Sequence, residues 1–172
     1  MLFTILDDLI FYQIIRFRKK FSNEEIRLFK YFYKRMRVYP ENIIIIRNYM
    51  FIFVKNEDYF KASKNLKYIR RQLLNKKILI IRAENTFINL LISLFPDLYV
   101  HKIAIEMNIF TGKRHISVGF LSYEDRAIAI GCNGDYIKCV NYMLENYVIF
   151  ENGKTPLTIR CEVIPLTIER NF

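Results

Sequence analysis

The chain has no tryptophan and little alanine, glycine or proline, with five, five and four copies in 172 residues. It has no Gly- or Ser-rich linker, no low-complexity stretch and no internal sequence repeat. Its three cysteines, Cys132, Cys139 and Cys161, form no CxxC pair and have no histidine at ligand spacing. That excludes a zinc site by pattern, and the odd number argues against a secreted disulfide framework, so reduced thiols in a reducing interior are expected. The only two histidines, His101 and His115, are isolated. There is no GxSxG, no GxxxxGK[ST] and no carboxylate pair at suggestive spacing, which leaves nucleophilic and nucleotide chemistry without a site. Glu24-Glu25 and Glu124-Asp125 read as ordinary helix-start acids. The expectation is a protein that is not an enzyme, with no cofactor and no metal. No apolar run approaches the roughly 20 residues that span a bilayer, so no membrane partner is expected. Asp7 and Asp8 depart from an Arg-rich, acid-poor transit peptide, and the protein is expected to be made where it works.

What is abundant is isoleucine, asparagine, aromatic residues and positive charge. Twenty-seven Ile and 14 Asn against five Ala is the bias that an AT-rich genome encodes. It favours an organelle-encoded, mitochondrial protein, with a plastid or bacterial cytoplasm as alternatives. A hydrophobic fraction of 52% is enough for a real core. The net charge of +10 calls for a polyanionic partner. Its distribution says more: residues 1–82 hold 19 basic and 7 acidic residues, about +12, and residues 83–172 hold 8 and 10, about −2. Charges left uncompensated through the whole first half and interleaved with Tyr and Phe fit RNA phosphates and bases.

Apolar spacing over 2–20 (Leu6, Ile10, Ile14, Phe17) predicts a helix ending in Arg16, Arg18, Lys19 and Lys20. Ser22 with Glu25 is a capping-box pattern opening a second helix that Pro40 stops. Residues 43–54 read as one long strand or two short ones around Arg47 and Asn48, 57–75 as one helix carrying Lys61, Lys64, Lys67, Arg70 and Arg71, and 76–82 as a strand. In the second half, a helix over 85–95 precedes strands over 100–109 and 115–121, joined by a turn containing Lys113 and Arg114. Helices over 123–130 and 135–147 flank Gly131-Cys132-Asn133-Gly134, and a strand over 155–166 closes the series.

Arg126-Ala127-Ile128-Ala129-Ile130-Gly131-Cys132-Asn133-Gly134-Asp135-Tyr136-Ile137-Lys138 resembles the helix-GxxG-helix signature of a KH domain. The order helix, strand, strand, helix, GxxG, helix, strand resembles the type II KH fold. Glycines let backbone approach a sugar-phosphate chain closely, and the amides opening the second helix suit phosphate; in KH domains this loop clamps about four nucleotides. The same glycines would also serve simply to turn two helices tightly. The loop departs from RNA-gripping relatives in having no Lys or Arg between its glycines and Asp135 just after them, so a light grip is expected. Within KH families the resemblance is to bacterial-type small-subunit ribosomal protein three. Val100-His101-Lys102-Ile103-Ala104-Ile105-Glu106 resembles its first strand and Leu157-Thr158-Ile159-Arg160-Cys161-Glu162-Val163 its last.

The expected architecture is therefore α+β: a basic, helix-rich region with short strands over 1–82, then a type II KH domain over 83–172. The resemblance implies a structural constituent of the small ribosomal subunit that binds ribosomal RNA and neighbouring small-subunit proteins, truncated or split so that a separate chain supplies the missing carboxy-terminal domain. The alternatives are a transcription-elongation factor of the NusA kind and a free RNA-binding or assembly factor. The NusA kind shares the Ala-Ile-Gly-x-x-Gly turn and normally brings an S1-like barrel and a second KH domain, and neither is expected to fit in the 82 residues of the amino-terminal region with its three expected helices. Candidate phosphate ligands are Arg16, Arg18, Lys19, Lys20, Arg35, Arg37, Lys64, Lys67, Arg70 and Arg71; Lys113, Arg114, Gly131, Cys132, Asn133, Gly134 and Lys138 are the KH contribution. Charge reversal at Arg70 and Arg71 is expected to weaken assembly into the small subunit more than Gly131→Asp.

Overall fold

The computed structural model describes residues 9–19, 22–153 and 157–165. The chain is α+β. Its first helix after residue 22, α1 (Asn23–Met36), opens on the expected capping box: Ser22 Oγ accepts from the Glu25 amide at 3.3 Å and the Glu25 carboxylate accepts from the Ser22 amide at 2.7 Å. This pairing lets Glu25 lie buried without a stranded charge. Arg37 ends the helix in the left-handed region, φ 55°.

Strands β2 (Asn42–Ile46) and β3 (Tyr49–Val54) form a hairpin whose turn is Arg47 and Asn48. A 3₁₀ turn, Asn56–Asp58, leads into α2 (Tyr59–Lys64) and α3 (Leu66–Gln72), and β4 (Lys77–Arg82) returns parallel to β3. The single helix expected over 57–75 is thus two, broken at Asn65. All six residues of β3 are buried because both its faces are covered, which is why it reads as a continuous apolar run. Met50, Ile52 and Val54 pack on Phe32, Met36, Ala62 and Ile69 of the helices. Tyr49, Phe51 and Phe53 face the other way, into a core shared with the second half.

The second half has α4 (Phe87–Ser93), β5 (Lys102–Met107), β6 (Arg114–Phe120), α5 (Tyr123–Ile130), α6 (Asp135–Asn146), β7 (Val148–Phe150) and β8 (Ile159–Val163). β5 and β6 are antiparallel, and β6 and β8 parallel. Both three-stranded sheets therefore have the same construction: helix, strand, strand, helix, helix, strand, with the first pair of strands antiparallel and the second parallel. The strand and helix order thus recurs, apart from β7 before β8, although the sequence itself does not repeat. The reason is that apolar pattern and crossover geometry set this topology, and neither needs residue identity to recur.

The helix expected over 2–20 is also corrected where it is described. Residues 9–11 are helical, but β1 (Ile15–Phe17) pairs antiparallel with β7; residues 2–8 and Lys20 lie outside the described part. Ile15 and Phe17 alternate inward, and the Phe17 ring lies 4.6 Å from that of Phe53. This ribbon ties the amino-terminal segment to the connection after α6, a strand the sequence did not suggest.

Candidate nucleic-acid interface

α5 starts at Ser122, whose hydroxyl accepts from the Asp125 amide at 3.0 Å, and stops at Gly131, φ 77°. A Cβ on Gly131 would lie 2.8 Å from Tyr136 Cβ and 3.0 Å from its nitrogen, so both conformation and space require glycine here. Asn133 (φ 53°) and Gly134 (φ 73°) are also left-handed, and the Gly134 amide donates to Gly131 O at 3.1 Å. The turn is closed by its own backbone: the Gly131 amide donates to Ala127 O at 3.0 Å and the Asp135 amide to Cys132 O, and three of the four loop residues have positive φ. Among the described residues no side chain caps that helix start.

The electrostatics come from both halves. Asp135 sits at the first position of α6 and offsets its dipole, but Arg47, from the β2–β3 turn, lies 3.8 Å from it. Lys138 Nζ donates to Asn133 O at 3.1 Å and so stands over the loop. Two clefts flank these groups. One of about 150 Å³ is apolar, lined by Gly131, Ile128 and Tyr136 together with Tyr49 and Leu79 of the first sheet. The other, about 330 Å³, lies between the β2–β3 hairpin and α6, with Arg47, Lys138, Tyr142 and Tyr147 on its walls. The Arg18 amide donates to Tyr147 O at 2.8 Å, which brings the Arg16 to Lys19 segment beside the second cleft.

The sequence-derived candidates divide into groups. Gly131, Cys132, Asn133, Gly134 and Lys138 come together, joined by Arg47, Tyr142 and Tyr147, which sequence reasoning missed. Lys64, Lys67 and Arg71 are exposed on α2 and α3, around the Asn65 break that stands where the other unit has its glycine loop. Arg16, Arg18 and Lys19 are exposed on and after β1, and Lys113 and Arg114 are exposed in the β5–β6 turn. Arg37 is exposed, and its carbonyl accepts from Lys61 Nζ at 3.1 Å. Arg35 and Arg70 have internal work. Arg35 lies over the Tyr31 and Tyr68 rings at 5.8 and 5.2 Å and donates to Tyr68 Oη at 3.1 Å, locking α1 to α3. Arg70 donates through Nε and Nη2 to Ile78 O at 3.1 and 2.8 Å.

The fold resembles that of APE1850. The crystal structure of APE1850 covers 81% of this chain, and all of that chain is matched, with a TM-score of 0.56 and 21% identity. No protein-family model and no curated protein sequence matches the chain. Among the described residues no helix is long and apolar enough to cross a membrane, and no cluster of three or more His, Cys, Asp or Glu could hold a metal ion.

The three thiols differ sharply. Cys132 is exposed in the loop, whereas Cys139 and Cys161 are buried; burial pushes both of these thiols up, Cys161 to about 12. An Ellman titration at pH 8 is expected to find one fast thiol in native protein and three in denaturant. A second fast native thiol would contradict the packing of α6 or β8.

Proposed function

We propose that this chain binds single-stranded RNA through two type II KH-like units that share a core, and that it performs no covalent chemistry. The observation that carries the reading is the Gly131 to Gly134 turn of positive-φ residues, with Lys138 over it, Arg47 beside Asp135, and a cleft on either side. Tyr142, on the wall of the larger cleft, is exposed, and exposed aromatic rings are what stacked bases use.

The repeated strand and helix order supports the NusA-like alternative over ribosomal protein three. That ribosomal family joins one KH domain to a following α/β domain of another kind, whereas here a unit of the same construction precedes the glycine loop. A place in the small ribosomal subunit is the second reading, supported by the charge of about +12 in the first half. Sedimentation separates the two: a ribosomal constituent stays with the small subunit in high salt, and a transcription factor washes off.

Fluorescence anisotropy with a labelled unpaired oligoribonucleotide and its duplex form tests the reading directly. Preference for the unpaired form, with affinity falling as salt rises, is expected; no binding at 50 mM salt would sink it. Asn133→Asp isolates the loop. Position 133 is already left-handed, which Asp tolerates, so stability should change by no more than ~0.5 kcal/mol. A second carboxylate beside Asp135 should weaken RNA binding about five- to tenfold.

A further inference from the structure

Among the described residues, the two most exposed large apolar side chains are neighbours: Ile109 at 94% and Phe110 at 97%, on the tip joining β5 to β6. The core, the loop and the two clefts leave them unexplained. The tip is firmly built. Asn108 Oδ1 accepts from the Phe110 and Thr111 amides at 2.9 and 3.1 Å, the Asn108 amide donates to Lys113 O at 2.9 Å, and the Gly112 amide donates to Asn108 O at 2.8 Å. Gly112, φ 65°, closes the turn. A ring held on such a turn meets a ligand with little ordering cost.

The chemistry around it is one-sided. Residues 108–113 contain Lys113 and no carboxylate. The nearest acid along β5, Glu106, is held by Lys102 Nζ at 2.7 Å, with His115 Nε2 at 4.0 Å. Two apolar side chains fall far short of the roughly 800 Å² per partner that a stable protein interface buries, whereas one base needs one ring.

We propose that this tip is a second RNA contact, in which Phe110 stacks on an unpaired base while Lys113 holds an adjoining phosphate; it rests on the RNA-binding reading above. The chain has no tryptophan, so Phe110→Trp creates a single reporter at the tip. Its emission is expected to be quenched by an unpaired 20-nucleotide RNA and unaffected by the duplex. Phe110→Ala is expected to bind the unpaired RNA about tenfold more weakly, within the range of base–aromatic stacking. No quenching, with Phe110→Ala binding as wild type, overturns the proposal; if Asn133→Asp still weakens binding, the loop reading stands. A blue shift of the Trp emission with protein concentration alone would place a second copy of the chain on the tip and also overturn it. Absence of RNA binding by the wild type overturns both.

Discussion

Tyr136→Ala is expected to cost about 3–5 kcal/mol, the range for truncating a large buried aromatic, and to loosen the two halves from each other. Tyr136 occupies the first turn of α6, but its ring packs mainly on other elements. Ring centroids lie 5.3 Å from Tyr49 and 6.0 Å from Phe51 of β3, and 6.3 Å from Phe95 after α4. Its hydroxyl donates to Leu94 O, a carbonyl at the end of α4. Burial holds the phenol well above its ordinary range, so it remains a donor throughout the usable pH range. Removing the ring empties the junction where three elements meet, while Cβ and the backbone of residue 136, against which Gly131 is fitted, stay in place. Urea unfolding followed by circular dichroism should show a much lower midpoint or two separate transitions. Tyr136→Phe keeps the ring and loses one hydrogen bond, for about 1–2 kcal/mol with the Leu94 carbonyl left unpaired. If the alanine variant lost less than about 1 kcal/mol, the shared core would not be what joins the units.

Local chemistry was legible in the sequence wherever a few adjacent residues decide the structure. Ser22 and Glu25 announce the start of α1, Arg47 and Asn48 divide the long β-branched run into a hairpin, and Gly131 with Gly134 mark the one helix junction built on glycine among the described residues. Partners distant in the chain hid the rest. Ile14, Ile15 and Phe17 satisfy helical spacing and strand alternation alike, and the choice was made by Val148 to Phe150, near the other end of the chain. Arg47 reaches Asp135 only because the two sheets share a core. A basic side chain also reads the same whether it faces water, a tyrosine ring or a carbonyl, so Arg35 and Arg70 looked like free phosphate ligands.

The repeated unit was hidden for a related reason: its two copies share the strand and helix order but not the glycine signature. Where the second copy turns from α5 to α6 through four residues, three of them left-handed, the first passes from α2 to α3 through Asn65 alone, φ −92°. The first unit has no glycine loop at this junction and has exposed cations on either side of the break. In the RNA-binding reading proposed above, the two units would do different work: a close, conformation-dependent contact at the loop, and a diffuse electrostatic one at α2 and α3.

That division fixes which variants can measure it. Reversing Arg70 with Arg71 would strip two hydrogen bonds from Ile78, and Gly131→Asp would drive a side chain into Tyr136, so each would damage the fold along with the binding. Lys64, Lys67 and Arg71 are exposed, with Lys67 and Arg71 four apart on α3, and their replacement leaves the core untouched. Replacing all three by glutamate is expected to weaken binding to unpaired RNA on the order of a hundredfold at 100 mM salt, about 1 kcal/mol for each charge reversed. Replacing all three by glutamine should make the slope of log affinity against log salt shallower by about 2, three phosphate contacts at ~0.7 each. Asn133→Asp should change that slope less than the triple variant does, because it alters one charge against three. Anisotropy titrations between 50 and 300 mM salt, with circular dichroism to verify folding, read both effects together. A triple glutamine variant with the wild-type slope would mean that α2 and α3 face away from the RNA, and the first unit would then act as a scaffold for the second.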